Sequence, residues 1–249
     1  MTPRIPLELS DYILDALSTD HKTVGVCGLV SIDWVPRSRH ILFSTVNLSS
    51  SNSRRFHELL GSPACTFASS VSHLGIAAET DAGTVQEAFY RLVTSSSFGR
   101  LACVQSLQLS NVDWTCFSVS QQSSLESGLA RLTHLAKLEL RSMSFHDLKG
   151  ALRVVSFFPF IHHIRLIDVR FSKYLEYNIS SAKTHQIPLA WQVVEIDAGD
   201  AIPSFLHCLS ANLAVAPVGI RLLKFLHINP GHYPYVEEAL RTIDFKPPS

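Results

Sequence analysis

The feature that most constrains this chain is a spacing of apolar residues that recurs along it. In Leu135–Phe145 the apolar side chains fall at offsets zero, three, five, eight and ten, as Leu135, Leu138, Leu140, Met143 and Phe145. Val104, Leu107, Leu109, Val112 and Trp114 match position for position, as do Ile161, Ile164, Leu166, Val169 and Phe171. Trp191, Val194 and Ile196 repeat the first three positions, followed by Gly199 and Ala201; Leu223, Leu226 and Ile228 do so again, followed by Gly231 and Tyr233. Weaker copies come earlier, at Phe43, Val46, Leu48 and at Val71, Leu74, Ile76. Starts at 43, 71, 104, 135, 161, 191 and 223 are 28, 33, 31, 26, 30 and 32 residues apart. Near-constant spacing in this range is the signature of a repeat architecture.

The centre of each copy, Leu138-x-Leu140 in the clearest one, reads as a short strand with one buried face, because side chains alternate with a period of two. Between the strands the period changes. Val85, Phe89, Leu92; Leu125, Leu129, Leu132; Leu148, Leu152, Val155; Ile202, Leu206, Leu209; and Val236, Leu240, Ile243 each lie along one helical face, and Phe56, Leu59 and Leu60 form a shorter version. The unit is therefore strand, turn, helix, with an apolar face that only a neighbouring unit can bury. The expected fold is α/β, a leucine-rich-repeat-like solenoid with parallel strands and the helices outside. Its units are degenerate, since no asparagine stands at the usual ladder position.

The first forty residues do not follow the repeat. Pro6 and Glu8 suit a helix start, Leu9, Ile13 and Leu17 share a face, and Ser18-Thr19-Asp20 ends that helix and caps the next. A second helical stretch is predicted over Thr23 to Val35, where Gly25 and Gly28 permit close packing. Two such helices bury too little to stand alone, so one reading is a cap on the open edge of the first repeat.

Ile5-Pro6-Leu7-Glu8-Leu9, Ile13-Leu14-Asp15-Ala16-Leu17, Cys27-Gly28-Leu29-Val30-Ser31 and Trp34 resemble an F-box. With Pro36-Arg37-Ser38-Arg39, Leu42-Phe43 and Val46-Asn47-Leu48, the chain is similar to the F-box-like proteins abundant in mushroom-forming fungi, in which a short N-terminal F-box precedes irregular leucine-rich repeats. The resemblance implies a head over residues 1–41 and about seven repeats over 42–249. It implies a substrate-receptor adaptor of a cullin–RING ubiquitin ligase, with Pro6, Leu7, Glu8, Leu9, Ile13, Leu17, Leu29, Val30 and Trp34 docking on a Skp-type linker subunit. Ser31, Ile32 and Asp33 depart from the cysteine and basic residues usual before the tryptophan. The alternative is a non-catalytic interaction scaffold whose head is only the cap. The two differ in whether the face bearing Leu7, Leu9 and Trp34 is exposed or packs on Phe43 and Val46.

If Leu138 and Leu140 point inward, Lys137, Glu139 and Arg141 line the opposite face. The equivalent positions are Ser106, Gln108, Ser110; His163, Arg165, Ile167; Val193, Glu195, Asp197; and Phe225, His227, Asn229. Lys137, Glu139, Arg141, His163, Arg165, Glu195, Phe225 and His227 are therefore the expected target-binding residues. Their mixed charge suits an unknown protein target. With 21 basic and 21 acidic residues, no polybasic surface points to nucleic acid.

No nucleotide-binding, zinc-hydrolase or serine-hydrolase motif occurs, and His162-His163 on a strand point to opposite faces, so neither catalysis nor a metal or other cofactor is expected. Apolar runs near 151–169 and 213–228 are broken by charge and proline, so no membrane partner is expected. The early prolines and acids do not make a secretory signal, and five scattered cysteines read as reduced core residues of a cytoplasmic or nuclear protein. Residues 171–190 are expected to form the longest loop.

Overall fold

In the computed structural model the described residues are 5–78, 84–172, 192–197, 222–225 and 233–242. They form an α/β fold around a parallel sheet of seven strands. Helices α1 (Leu7–Ala16), α2 (His21–Val30) and α3 (Val35–Phe43) lead into β1 (Thr45–Leu48). Then follow α4 (Ser50–Gly61), β2 (His73–Ala77), α5 (Thr84–Thr94), β3 (Ser106–Ser110), α6 (Val119–Leu129), β4 (Lys137–Arg141), β5 (Ser144–Phe145) and α7 (Leu148–Ser156). The remaining elements are β6 (His163–Ile167), β7 (Arg170–Phe171), β8 (Val193–Asp197), β9 (Leu222–Phe225) and the helix Tyr233–Thr242. Strand order in the sheet is β1-β2-β3-β4-β6-β8-β9, so space follows sequence, while β5 and β7 make a separate parallel pair.

The register aligns the recurring apolar positions. Val46, Leu74, Leu107, Leu138, Ile164, Val194 and Leu223 stand side by side, as do Leu48, Ile76, Leu109, Leu140, Leu166, Ile196 and Phe225. Those from β2 to β8 are buried, and they join Phe56, Leu60, Phe89, Leu92, Leu125, Leu129, Leu152 and Val155 from the helices in one core. Each such leucine contributes roughly 2 kcal/mol of burial. The outer apolar pairs form a second layer, with Trp114, Phe145 and Phe171 in sequence at centroid distances of 6.0 and 6.5 Å.

One turn recurs with the strands. Asn111, Ser142 and Asp168 each follow the last residue of β3, β4 or β6 with a positive φ of 59°, 48° and 49°. Each donates its N–H to the next strand of the sheet, at Arg141, Ile167 and Asp197 respectively. Short polar side chains tolerate this left-handed conformation best.

Local chemistry sets the helix ends. Pro6 occupies the N-cap of α1, and its carbonyl accepts from the N–H groups of Leu9 and Ser10. The Asp20 side chain accepts from the N–H groups of Lys22 and Thr23 at the start of α2. The Asn52 side chain accepts from the Ser49 N–H and donates to the Asn47 carbonyl, tying α4 to strand β1.

Several expectations need correction. The second helical stretch breaks after Val30 into a 3-10 turn at Ile32–Trp34, and a third helix, α3, crosses the anticipated boundary at residue 41. Pro36 lies in its first turn, where the missing N–H costs nothing. Helix α6 starts at the Ser118 cap, ahead of the apolar face that begins at Leu125, with Gln121 completing a capping box. Gly28 packs close to Ser38, but Gly25 faces open space. Four cysteines are free thiols: Cys103 and Cys116 are exposed and so not core residues, Cys27 is half-buried, and Cys65 is half-buried against the core. The last copy is out of register by three residues: Leu223 and Phe225, not Leu226 and Ile228, take the core positions beside Val194 and Ile196. The anticipated helix at Ile202–Leu209, the loop residues Tyr174, Tyr177 and Pro188, Cys208 and His227 lie outside the described residues.

Candidate functional site

Two surfaces carry the candidate residues. The first is the three-helix head. Helix α1 is held on α3 by a bidentate pair in which Arg37 Nε and Nη2 donate to the two Asp15 carboxylate oxygens at 2.8 and 2.7 Å. Within the head Leu14, Val24, Ser10 and Ser38 are buried. The motif residues are turned the other way. Leu7 and Leu9 are each 55% exposed, Leu29 is 88% exposed, and Val30 and Ile13 are exposed as well. Pro6 and Glu8 are exposed, while Leu17 and Trp34 are half-buried. Tyr12, Val26 and Ile32, which the motif did not single out, add to the exposed apolar set. Phe43 and Val46 pack against the body core instead of receiving Leu7 and Leu9, and Phe43 stacks on Phe67 at 4.5 Å.

The second surface is the face of the sheet away from the core. The register lays its side chains in rows. The middle row runs Asn47, Gly75, Gln108, Glu139, Arg165, Glu195, Lys224. Glu139 is only 7% exposed, although it lies on the nominally open face. Arg141 Nε and Nη2 donate to its Oε1 at 3.2 and 2.9 Å, and Arg165 Nη1 to its Oε2 at 3.4 Å. Arg165 Nε also lies 3.1 Å from Glu195, and His163 Nε2 lies 3.4 Å from the other oxygen of that carboxylate, as contacts without aligned hydrogen bonds. Burial, and next the charge of Lys137, hold His163 below the usual imidazole range, against the opposing pull of Glu195. Lys137, Glu139, Arg141, His163, Arg165 and Glu195 are therefore brought together across three adjacent strands. Phe225 is not among them: it packs on the core opposite Ile196, and Lys224 takes the outward place opposite Glu195.

A third polar cluster lies at the turn before α6. The Cys116 thiol donates to Asp113 at 3.1 Å, and Thr115 donates to the same carboxylate through both its N–H and its hydroxyl. Burial works to raise the Asp113 pKa, but these hydrogen bonds outweigh it and hold the carboxyl below its usual range. The bond to Asp113 pushes the thiol up, which is the wrong direction for a nucleophile. Among the described residues no group of three or more His, Cys, Asp or Glu side chains is placed to hold a metal ion, and no helix is long and apolar enough to cross a membrane.

No family model matches the chain, and a search of curated proteins returns no match.

Proposed function

We propose that the chain is a substrate-receptor adaptor of a cullin–RING ubiquitin ligase. Its head, residues 1–41 continued through α3, docks on a Skp-type linker subunit. Residues 42–249 form a leucine-rich-repeat-like solenoid whose outer sheet face holds a protein target. The adaptor performs no catalysis itself and works in the cytosol or nucleus.

The observation that carries this reading is the exposure of Leu7, Leu9, Ile13, Leu29 and Val30 at F-box motif positions. An apolar patch of this kind on a helical head marks an interaction surface. The sequential parallel sheet and the left-handed turn shared by three units support the repeat reading. The scaffold alternative draws on the stacking of Phe43 on Phe67, which ties α3 to the body beside edge strand β1.

Co-purification with a Skp-type linker subunit tests the proposal. Wild type is expected to form a stable complex, and the Leu7→Ala, Leu9→Ala double variant to lose it while keeping its fold. A folded wild type that forms no complex reduces the head to a cap.

A further inference from the structure

Next to the middle row of the sheet lies a row of different character. It runs Thr45, His73, Ser106, Lys137, His163 across β1, β2, β3, β4 and β6. It contains hydroxyls, imidazoles and an ammonium, and no carboxylate. Lys137 is half-buried between Ser106 and His163, which flank it at the inter-strand spacing of about 4.8 Å. Among the described residues the Lys137 ammonium makes no ion pair or hydrogen bond, while its main-chain N–H donates to the Gln105 carbonyl. The carboxylates one row away are already engaged, Glu139 by Arg141 and Arg165, and Glu195 by Arg165 and His163. A partly desolvated ammonium with three donors and no acceptor is an incomplete pair.

We propose that the row Ser106–Lys137–His163 seats an acidic side chain of the protein target, its carboxylate on the Lys137 ammonium. The inference rests on the reading of this sheet face as the target-binding surface and names the chemistry of what binds there. The same rows argue against a nucleic acid. A phosphate chain needs several cations along its path, whereas Glu139 and Glu195 stand about 7 Å from the Lys137 row, two residues along the strands. A lone carboxylate needs only the Lys137 ammonium, with neutral or basic groups of the target over Glu139 and Glu195.

Protonation reinforces the seat. His163 is faced by Lys137 from β4 and Glu195 from β8, with His162 and Arg165 on its own segment. A carboxylate arriving on Lys137 favours the imidazolium, so binding and proton uptake are linked and acid strengthens binding.

The test is an NMR titration of the full-length chain at low ionic strength with an N-acetylated, C-amidated Gly-Glu-Gly peptide, beside its Gly-Gln-Gly counterpart. The acidic peptide is expected to shift the amides of Ser106, Lys137 and His163, and the neutral one to leave them in place. Lys137→Met is expected to weaken binding by about fivefold, the worth of one exposed charge pair, and Lys137→Arg to retain it. Lys137→Glu is expected to transfer the preference to a Gly-Lys-Gly peptide. Lowering the pH from about 7.5 to about 5.5 is expected to tighten binding in wild type and not in His163→Gln. Equal binding of the glutamine peptide, indifference to Lys137→Met, or tighter Lys137-dependent binding of a single-stranded oligothymidylate would overturn the proposal. The Leu7→Ala, Leu9→Ala variant is expected to bind the peptide normally, which separates this inference from the linker-docking reading.

Discussion

Gly128 of α6 lies against the main-chain carbonyl of Val93 in α5, with no room between them for a β-carbon. The atoms in the way are Val93 O, C and Cγ1, two of them backbone that no rotamer change can move. Gly128→Ala is therefore expected to destabilise the fold by about 2 kcal/mol, overpacking outweighing the gain in helix propensity. Urea denaturation checks this; a stabilised variant would mean that the two helices stand further apart.

Leu140 is fully buried in the middle strand of the sheet. Leu140→Asp sets a carboxyl between Leu109 and Leu166 in the core, and is expected to cost about 4 kcal/mol. Near-wild-type thermal stability would refute the register.

Arg165 and Arg141 both bind Glu139, but only Arg165 also reaches Glu195. Arg165→Met leaves Glu195, among the described residues, with the His163 imidazole as its ion-pair neighbour and is expected to cost about 3 kcal/mol, against about 1 kcal/mol for the more exposed Arg141. Equal losses in paired denaturation curves would show that Arg165 does not bridge the two carboxylates.

His163 binds its proton less readily folded than unfolded. The unfolded chain therefore takes up the proton first as pH falls, and stability is expected to decline from about pH 6.5 downward until the folded pKa is passed. Thermal melts of His163→Gln should show a flatter profile through that window. An unchanged slope would place the titrating group elsewhere.

Ser142 holds a φ of 48° at the end of β4. Ser142→Gly is expected to be near neutral, relief of the left-handed conformation balancing the extra freedom of the unfolded chain. Ser142→Val should lose about 1–2 kcal/mol, because branching at Cβ is poorly accommodated there.

The strand positions were legible because the period of two is unambiguous wherever leucines alternate with charged residues, as in Lys137–Arg141. It was ambiguous in the last unit. Ile220, Leu223 and Phe225 share the offsets of Leu223, Leu226 and Ile228, so spacing alone does not choose between them. Helix α3 was missed because Pro36, Arg37, Arg39 and His40 leave little apolar stripe to read. On the sheet face, the residue types at Lys137, Glu139 and Arg165 were clear, but the burial of Glu139 was not. A glutamate on a strand reads as solvated until two arginines from different positions are seen to close over it. The exposed set on the head reached beyond the motif, to Tyr12, Val26 and Ile32, because single-residue matches carry no information about which side of a helix its neighbours leave open.

The order of strands in the sheet carries a kinetic consequence. Each strand of the seven-stranded sheet pairs with the sheet strand that precedes it, about thirty residues earlier, so closing each gap costs a similar, modest entropy and no pairing waits on a distant segment. Structure can thus spread outward from whichever adjacent pair forms first. Amide exchange should consequently slow from the edge strand β1 toward β4, in a gradient of protection with no single boundary between protected and open.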